Sequence, residues 1–173
     1  GGCTWGMGEF WSLTREERMR VYDIVSDEAR GEWPIGAHVT HTSARDMLSL
    51  ADHAESSGFD LLIVAPTYMV TRTEQQVIDW VRMLADHTPL AIMFYNSPQF
   101  GIVVSAQGLR QICDIANVVG VKEASFNQEL SIETHQLMGL DAIISTPDEW
   151  ILFKGKELGF EQPEMTRIRV SVL

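Results

Sequence analysis

The sequence predicts an α/β protein assembled from parallel βα units. Two observations carry the prediction: five short apolar runs recur along the chain, and amphipathic segments of helical period separate them. Parallel strands need a crossover between them and are covered on both faces, which is why each run is apolar without a polar side and why a helix follows it.

The elements can be justified in order. Thr14 followed by Glu17 is a helix-start pattern, with Met19, Val21, Tyr22, Ile24 and Val25 at near-helical spacing behind it and Gly31 to end it. The run from Trp33 to Val39 reads as a buried strand entered near Pro34. Ser43 caps a second helix to about Ser57, with Met47, Leu48, Leu50, Ala51 and Ala54 turned to the core and Gly58 closing it. Asp60 to Ala65 is a strand, Thr73 to His87 a helix with Val77, Ile78, Val81, Met83 and Leu84 inward, and Leu90 to Tyr95 a strand. A helix over Ser105 to Ala116, a strand over Val118 to Lys122, a weaker helix over Glu129 to Met138, a short strand over Ala142 to Ser145 and a helix from Trp150 to Leu158 complete the alternation.

Composition narrows the function classes. The chain has 173 residues, of which 45% are hydrophobic, enough to bury a core as one unit. A formal charge of -11 with a pI near 4.8 offers no basic field for nucleic acid or anionic lipid. Cys3 and Cys113 are too few for a disulfide framework or a zinc site, and no run approaches the roughly 18 apolar residues of a membrane span. Gly1 to Gly8 lacks the basic start and apolar middle of a signal peptide, so a cytoplasmic protein is expected. The glycines at 1, 2, 6 and 8 belong to no complete nucleotide fingerprint. His38 and His41, three residues apart at a strand end, have no third ligand near in sequence and read as polar loop, so no metal is expected. Asp148 and Glu149 read as the acidic start of a helix before they read as an acid-base pair.

Chemistry in α/β proteins gathers at the C-terminal ends of the strands. Lys122 ends one, where its ammonium would enter the protein interior. Burial disfavours the charged form and yields the neutral amine that attacks a ketone to give an imine. Against this stands a lysine that reaches solvent or pairs with Glu123. Tyr95, at the end of the preceding strand, could shuttle protons for such an amine or be an aromatic of the core. Asn96 and Pro98 shape the turn that follows.

Gly8-Glu9, Ser12-Leu13-Thr14, Glu16-Glu17-Arg18, Tyr95-Asn96-x-Pro98 and Gly120-x-Lys122-Glu123-Ala124, in that order and spacing, resemble the dihydrodipicolinate synthase and N-acetylneuraminate lyase family over about residues 6 to 160. The resemblance implies a (β/α)8 TIM barrel and class I aldolase chemistry without metal or organic cofactor. Lys122 would form a Schiff base with pyruvate or a related 2-oxo acid, which is then joined to or released from an aldehyde. It implies a proton-relay role for Tyr95. It also implies that Tyr68 reaches into a neighbouring subunit's site, and hence a homo-oligomer, usually a tetramer of dimers.

Two departures bear on the substrate. Many members carry Gly-Thr-Thr-Gly-Glu where this chain has Trp5-Gly6-Met7-Gly8-Glu9, so the hydroxyls that hold the 2-oxo acid carboxylate are missing. The backbone N–H groups of Gly6, Met7 and Gly8, with the hydroxyl of Thr4, are the remaining candidates to bind it. An arginine common in the synthases after Tyr-Asn-x-Pro is replaced by Gln99-Phe100-Gly101. Phe100 and Trp11 would suit a less polar aldehyde, as in the family's hydratase-aldolases.

By the same resemblance Gly1 falls near the end of the second barrel strand and the eighth strand is lacking, so residues 1–160 read as a partial barrel and 161–173 as a tail of unclear origin. Two readings of function follow. One is a Schiff-base lyase, carried by Lys122 and Tyr95. The other is a catalytically inactive barrel fragment or binding module, carried by the lost hydroxyls and strands.

Overall fold

A computed structural model describes residues 2–4 and 8–159. The expected tail at 161–173 lies outside the described residues. Six strands form one parallel sheet whose spatial order is the chain order: β1 (Gly2–Cys3), β2 (Gly36–His38), β3 (Leu61–Val64), β4 (Ala91–Asn96), β5 (Val118–Glu123) and β6 (Ile143–Ser145). Between them run α1 (Arg15–Ala29), α2 (Ala44–Ser56), α3 (Glu74–His87), α4 (Ala106–Cys113) and α5 (Gln128–Met138), with α6 (Glu149–Glu157) after β6. Each helix thus returns the chain to the next strand on the same side, the winding of a barrel wall. An open doubly wound sheet would reverse its strand order. The chain is therefore a partial (β/α) barrel.

The helix starts form where the sequence places them. Thr14 and Glu17 exchange both bonds of a capping box, at 2.8 Å from the Thr14 N–H to Glu17 and 3.2 Å in return. Thr73 and Gln76 do the same for α3, and Ser43, Ser105, Asn127 and Asp148 cap α2, α4, α5 and α6 with their side chains. Asp148 accepts the Trp150 N–H at 3.0 Å, a helix cap as expected.

The sheet has two unlike faces. Ala37, Leu62, Val64, Ile92, Phe94, Val121 and Ile144 point to the helix layer and merge with Met47, Leu50, Val77, Val81, Leu84, Leu109 and Ile112 in the main core. The inner face carries a smaller cluster of Phe10, Ile63, Ala65, Tyr95, Phe100 and Ala124. Ile24, one of the apolar residues at helical spacing, is 51% exposed, while Arg18 is 1% exposed. Helix α1 is rotated so that Arg18 and Tyr22 face the sheet, because their polar ends meet the free carbonyls at the end of β2.

One irregularity decides which face β5 presents. Val118 and Val121 both join the outer core, although residues three apart on a regular strand face opposite ways. The register shifts between Ile92 and Met93, which pair with Val118 and Gly120, leaving Val119 as an extra residue. Everything after this bulge is turned over, so that Lys122 pairs with Tyr95 on the inner face and Glu123 looks out to α5.

Asn96 holds the turn after β4. Its amide donates to the Val104 carbonyl at 3.1 Å and its oxygen accepts the Val104 N–H at 2.9 Å, all in a buried setting. Replacing Asn96 by Ala strands two buried backbone groups, and we expect a loss of about 2–3 kcal/mol of stability in urea unfolding. The segment that carries Phe100 depends on the same clamp.

Candidate active site

The C-terminal end of the inner face brings together residues from β2, β4, β5 and β6 and their loops. Tyr95 and Lys122 are register partners, and Ser145 of β6 is the partner of Lys122 on its other side. The Lys122 side chain is 5% exposed, and its Nζ lies 4.2 Å from the centre of the Tyr95 ring. Glu123 is not its counterion: that carboxylate accepts the Ser125 N–H at 2.9 Å and the Ser131 hydroxyl on the opposite side of the strand.

Burial pushes the Lys122 amine down to about 8 from an ordinary 10.5. At pH 7 about a tenth of such an amine is neutral, against roughly one part in three thousand for an unperturbed lysine. Burial also raises the Tyr95 phenol, which therefore stays protonated at neutral pH and can give or return a proton. The pair is a weakly basic amine beside a protonated phenol in an apolar wall.

Aromatic rings line that wall. Phe100 meets Tyr95 edge-on at 5.1 Å between centres, and Phe10, from a 3-10 turn at Phe10–Ser12, lies 4.4 Å from the His38 ring. Trp11 is 54% exposed beside it. Phe100 is buried and forms part of the wall beside Tyr95. His38 corrects the expectation of a polar loop: it ends β2, faces inward and is wholly buried. An apolar run that alternates across the sheet gives no separate signal for a histidine on its inner face. His41 lies beyond the strand, bound to the Ser43 N–H at 3.0 Å.

The remaining candidates are placed unequally. Thr4 is buried with φ at 53°, and its hydroxyl donates to the His38 carbonyl at 3.4 Å. Gly8 is exposed, while Gly6 and Met7 lie outside the described residues. Tyr68 is 43% exposed in the loop after β3 and is not drawn into the Lys122 cluster. Instead it lines an open cleft of about 540 Å³ with Met69, Thr71, Arg72, Phe100, Gly101 and Ile102. Phe100 is the residue this cleft shares with the Tyr95 cluster.

Comparison with known proteins agrees with the parallel barrel wall. The model of the dihydrodipicolinate synthetase family matches residues 2–162. A 4-hydroxy-tetrahydrodipicolinate synthase of Nitrobacter hamburgensis is 31% identical over 138 residues, which are 79% of this chain and 46% of the relative. The corresponding enzyme of Syntrophus aciditrophicus is 31% identical over 119 residues, 68% of this chain and 41% of its own. Among solved structures, a dihydrodipicolinate synthase of Agrobacterium tumefaciens superposes with a TM-score of 0.77 at 25% identity, over 84% of this chain and 50% of the other. An Escherichia coli prophage protein of the dihydrodipicolinic acid synthase family, solved in complex with pyruvate, gives 0.83 at 24% identity, over 91% of this chain and 55% of the other. The chain spans about half the length of the relatives it matches. With the family model covering every described residue, this chain belongs to the dihydrodipicolinate synthetase family.

Proposed function

We propose that the chain carries the imine-forming centre of a pyruvate-type class I aldolase, and that Lys122 is its nucleophile. The observation that supports this most is the buried amine of Lys122, lowered to about 8 and set against the Tyr95 ring. In the proposed step the lone pair of Nζ attacks C2 of a 2-oxo acid, and the carbinolamine loses water to give the imine. Tyr95 supplies the proton that leaves with that water and takes one back as the nitrogen is freed. The protonated imine then acts as the electron sink that lets C3 lose a proton and add to an aldehyde carbonyl, or lets an existing bond to C3 break. The chemistry calls for no metal or organic cofactor.

Around this centre the N–H groups of Gly6, Met7 and Gly8 are proposed to face the carboxylate of the 2-oxo acid; Thr4, whose hydroxyl proton goes to the His38 carbonyl, joins them only if it turns. The buried aromatic Phe100 stands where the aldehyde would approach. Tyr68, exposed in the cleft it shares with Phe100, fits a residue that serves a neighbouring subunit in a homo-oligomer. A small-molecule 2-oxo acid and an aldehyde are the partners of the reading.

A second reading is a barrel piece that captures a 2-oxo acid without turning it over. What favours it is the sequence Trp5-Gly6-Met7-Gly8-Glu9, which lacks the hydroxyls expected there. One experiment tests the proposal: incubation with pyruvate, reduction with borohydride and location of the added mass by peptide mass spectrometry. A stable adduct on the peptide containing Lys122 is expected, and folded protein that takes up no mass would overturn the imine reading. Screening the trapped protein with aldehydes for product then separates turnover from capture.

A further inference from the structure

The two ring nitrogens of the buried His38 are treated differently. Nε2 lies 3.2 Å from the hydroxyl of Thr40. That same oxygen accepts the Ala65 N–H at 2.7 Å, and among the described residues Nε2 is the acceptor within reach of its own proton, so the hydroxyl donates to Nε2. With Nε2 accepting, the neutral ring carries its proton on Nδ1. Nδ1 is buried and has no hydrogen-bond partner among the described residues. Burial, together with the positive charges of Arg18 and Lys122, keeps the ring neutral. The result is a chain of hydrogen bonds, from the Ala65 N–H through Thr40 to His38, that leaves an unmatched N–H on a ring packed against Phe10, Tyr95 and Phe100.

Arg18 is a second and independent sign. Its guanidinium is buried beneath the Phe10 ring, at 5.2 Å from the centre, and spends its terminal nitrogens on the carbonyls of Thr40 and His38. Its Nε has no hydrogen-bond partner, and no ion pair among the described residues includes it. A buried cation next to an unmatched donor makes a field that favours an anion.

We infer that His38 is a carboxylate-binding residue of this site, whose Nδ1–H donates to a carboxylate oxygen of the 2-oxo acid held at Lys122, in a field set by Arg18. It takes over the part played by the hydroxyls that the loop at Trp5 to Glu9 lacks. The inference rests on the imine reading of Lys122 for its ligand, and Lys122 and His38 lie against the same Tyr95 ring, with Nζ 4.2 Å and the imidazole centre 6.4 Å from its centre.

The test compares borohydride trapping of pyruvate across a concentration series in the full chain and three variants. His38→Leu removes the donor and is expected to need about 10- to 100-fold more pyruvate for half-maximal adduct. His38→Asn, whose side-chain N–H₂ takes the place of Nδ1, should stay within about 3-fold of the parent, with Thr40→Val between the two. Equal half-saturation in parent and in folded His38→Leu overturns the inference and leaves the imine reading standing. A second measurement needs neither adduct nor a variant that folds well: long-range nitrogen–proton NMR of the histidine rings in the unaltered chain, titrated with pyruvate and separately with acetone. A shift of the His38 Nδ1 signal with pyruvate but not with acetone supports carboxylate binding, even if no adduct forms and the imine reading falls. No shift with pyruvate, or the same shift with both, overturns it.

Discussion

Replacing Lys122 by Ala or Met is expected to abolish the pyruvate adduct entirely, at least a hundred-fold below the parent by mass spectrometry, while leaving the protein folded. The amine is the bond-forming atom of the proposed step, so no neighbour can substitute for it. The stability consequence runs the other way. Unfolded, the lysine titrates near its ordinary 10.5; folded, near 8. Between those values the unfolded chain keeps a proton that the folded chain has given up, so stability rises as pH goes from 8 to 10.5. Below 8 the full penalty of the buried charge is present, at most ~3 kcal/mol from the size of the shift. Lys122→Met removes the charge and keeps an apolar chain of similar length, so at pH 7 it should be more stable than the parent by about 1–2 kcal/mol. Urea midpoints measured from pH 7 to 10 check both statements: the parent's should climb over that range relative to the variant's. A variant less stable than the parent at pH 7 would mean that the contacts of the amine, the Tyr95 ring among them, outweigh the cost of burying it.

The same lysine shows what was legible in the sequence and what was not. The alternation of apolar runs and capped helices is a local signal, and Thr14, Ser43, Thr73 and Ser105 start their helices as their side-chain chemistry dictates. Strand bounds came out shorter than the apolar runs that announce them, as with Trp33 to Val39 against Gly36–His38, because an apolar residue beyond the ladder can still be buried by a loop. The strand Gly2–Cys3 has no periodicity to detect, being two residues held by pairing with Gly36 and Ala37. Strict alternation from Val118 would put Lys122 on the helix side. Only the extra residue at Val119 turns it inward, and a bulge depends on the partner strand, which a single run of residues does not reveal. The inward histidine was missed for a related reason: His38 looks like the polar end of a strand until Arg18, Tyr22 and Thr4 are seen to gather on its carbonyl.

The second large effect is expected at Gly120. In the sequence it is one member of the motif ending in Lys122-Glu123-Ala124; in the fold it is the residue at which β5 and β6 approach most closely among the glycines described. A Cβ there would lie 2.2 Å from the Ile143 carbonyl oxygen and 2.9 Å from its carbon, both backbone atoms of the paired strand. Backbone cannot swing aside as a side chain can, so Gly120→Ala must spread the two strands apart or slide one along the other. We expect a loss of about 2–4 kcal/mol, at the upper end for overpacking. Gly36→Ala is the control, because its Cβ would meet the Ile63 Cδ1 at 2.8 Å, the movable tip of a side chain, and should cost no more than about 1 kcal/mol. Thermal or urea unfolding of the two variants separates them. The consequence reaches the site, since Lys122 follows Gly120 by two residues on the same strand and shares its partner strand. At a temperature where Gly120→Ala is still folded, its trapping of pyruvate should fall at least ten-fold, whereas Gly36→Ala should trap as the parent does. If both alanines were tolerated alike, β6 would be free to move away from β5, and the wall that buries the Lys122 amine would not be held by that strand.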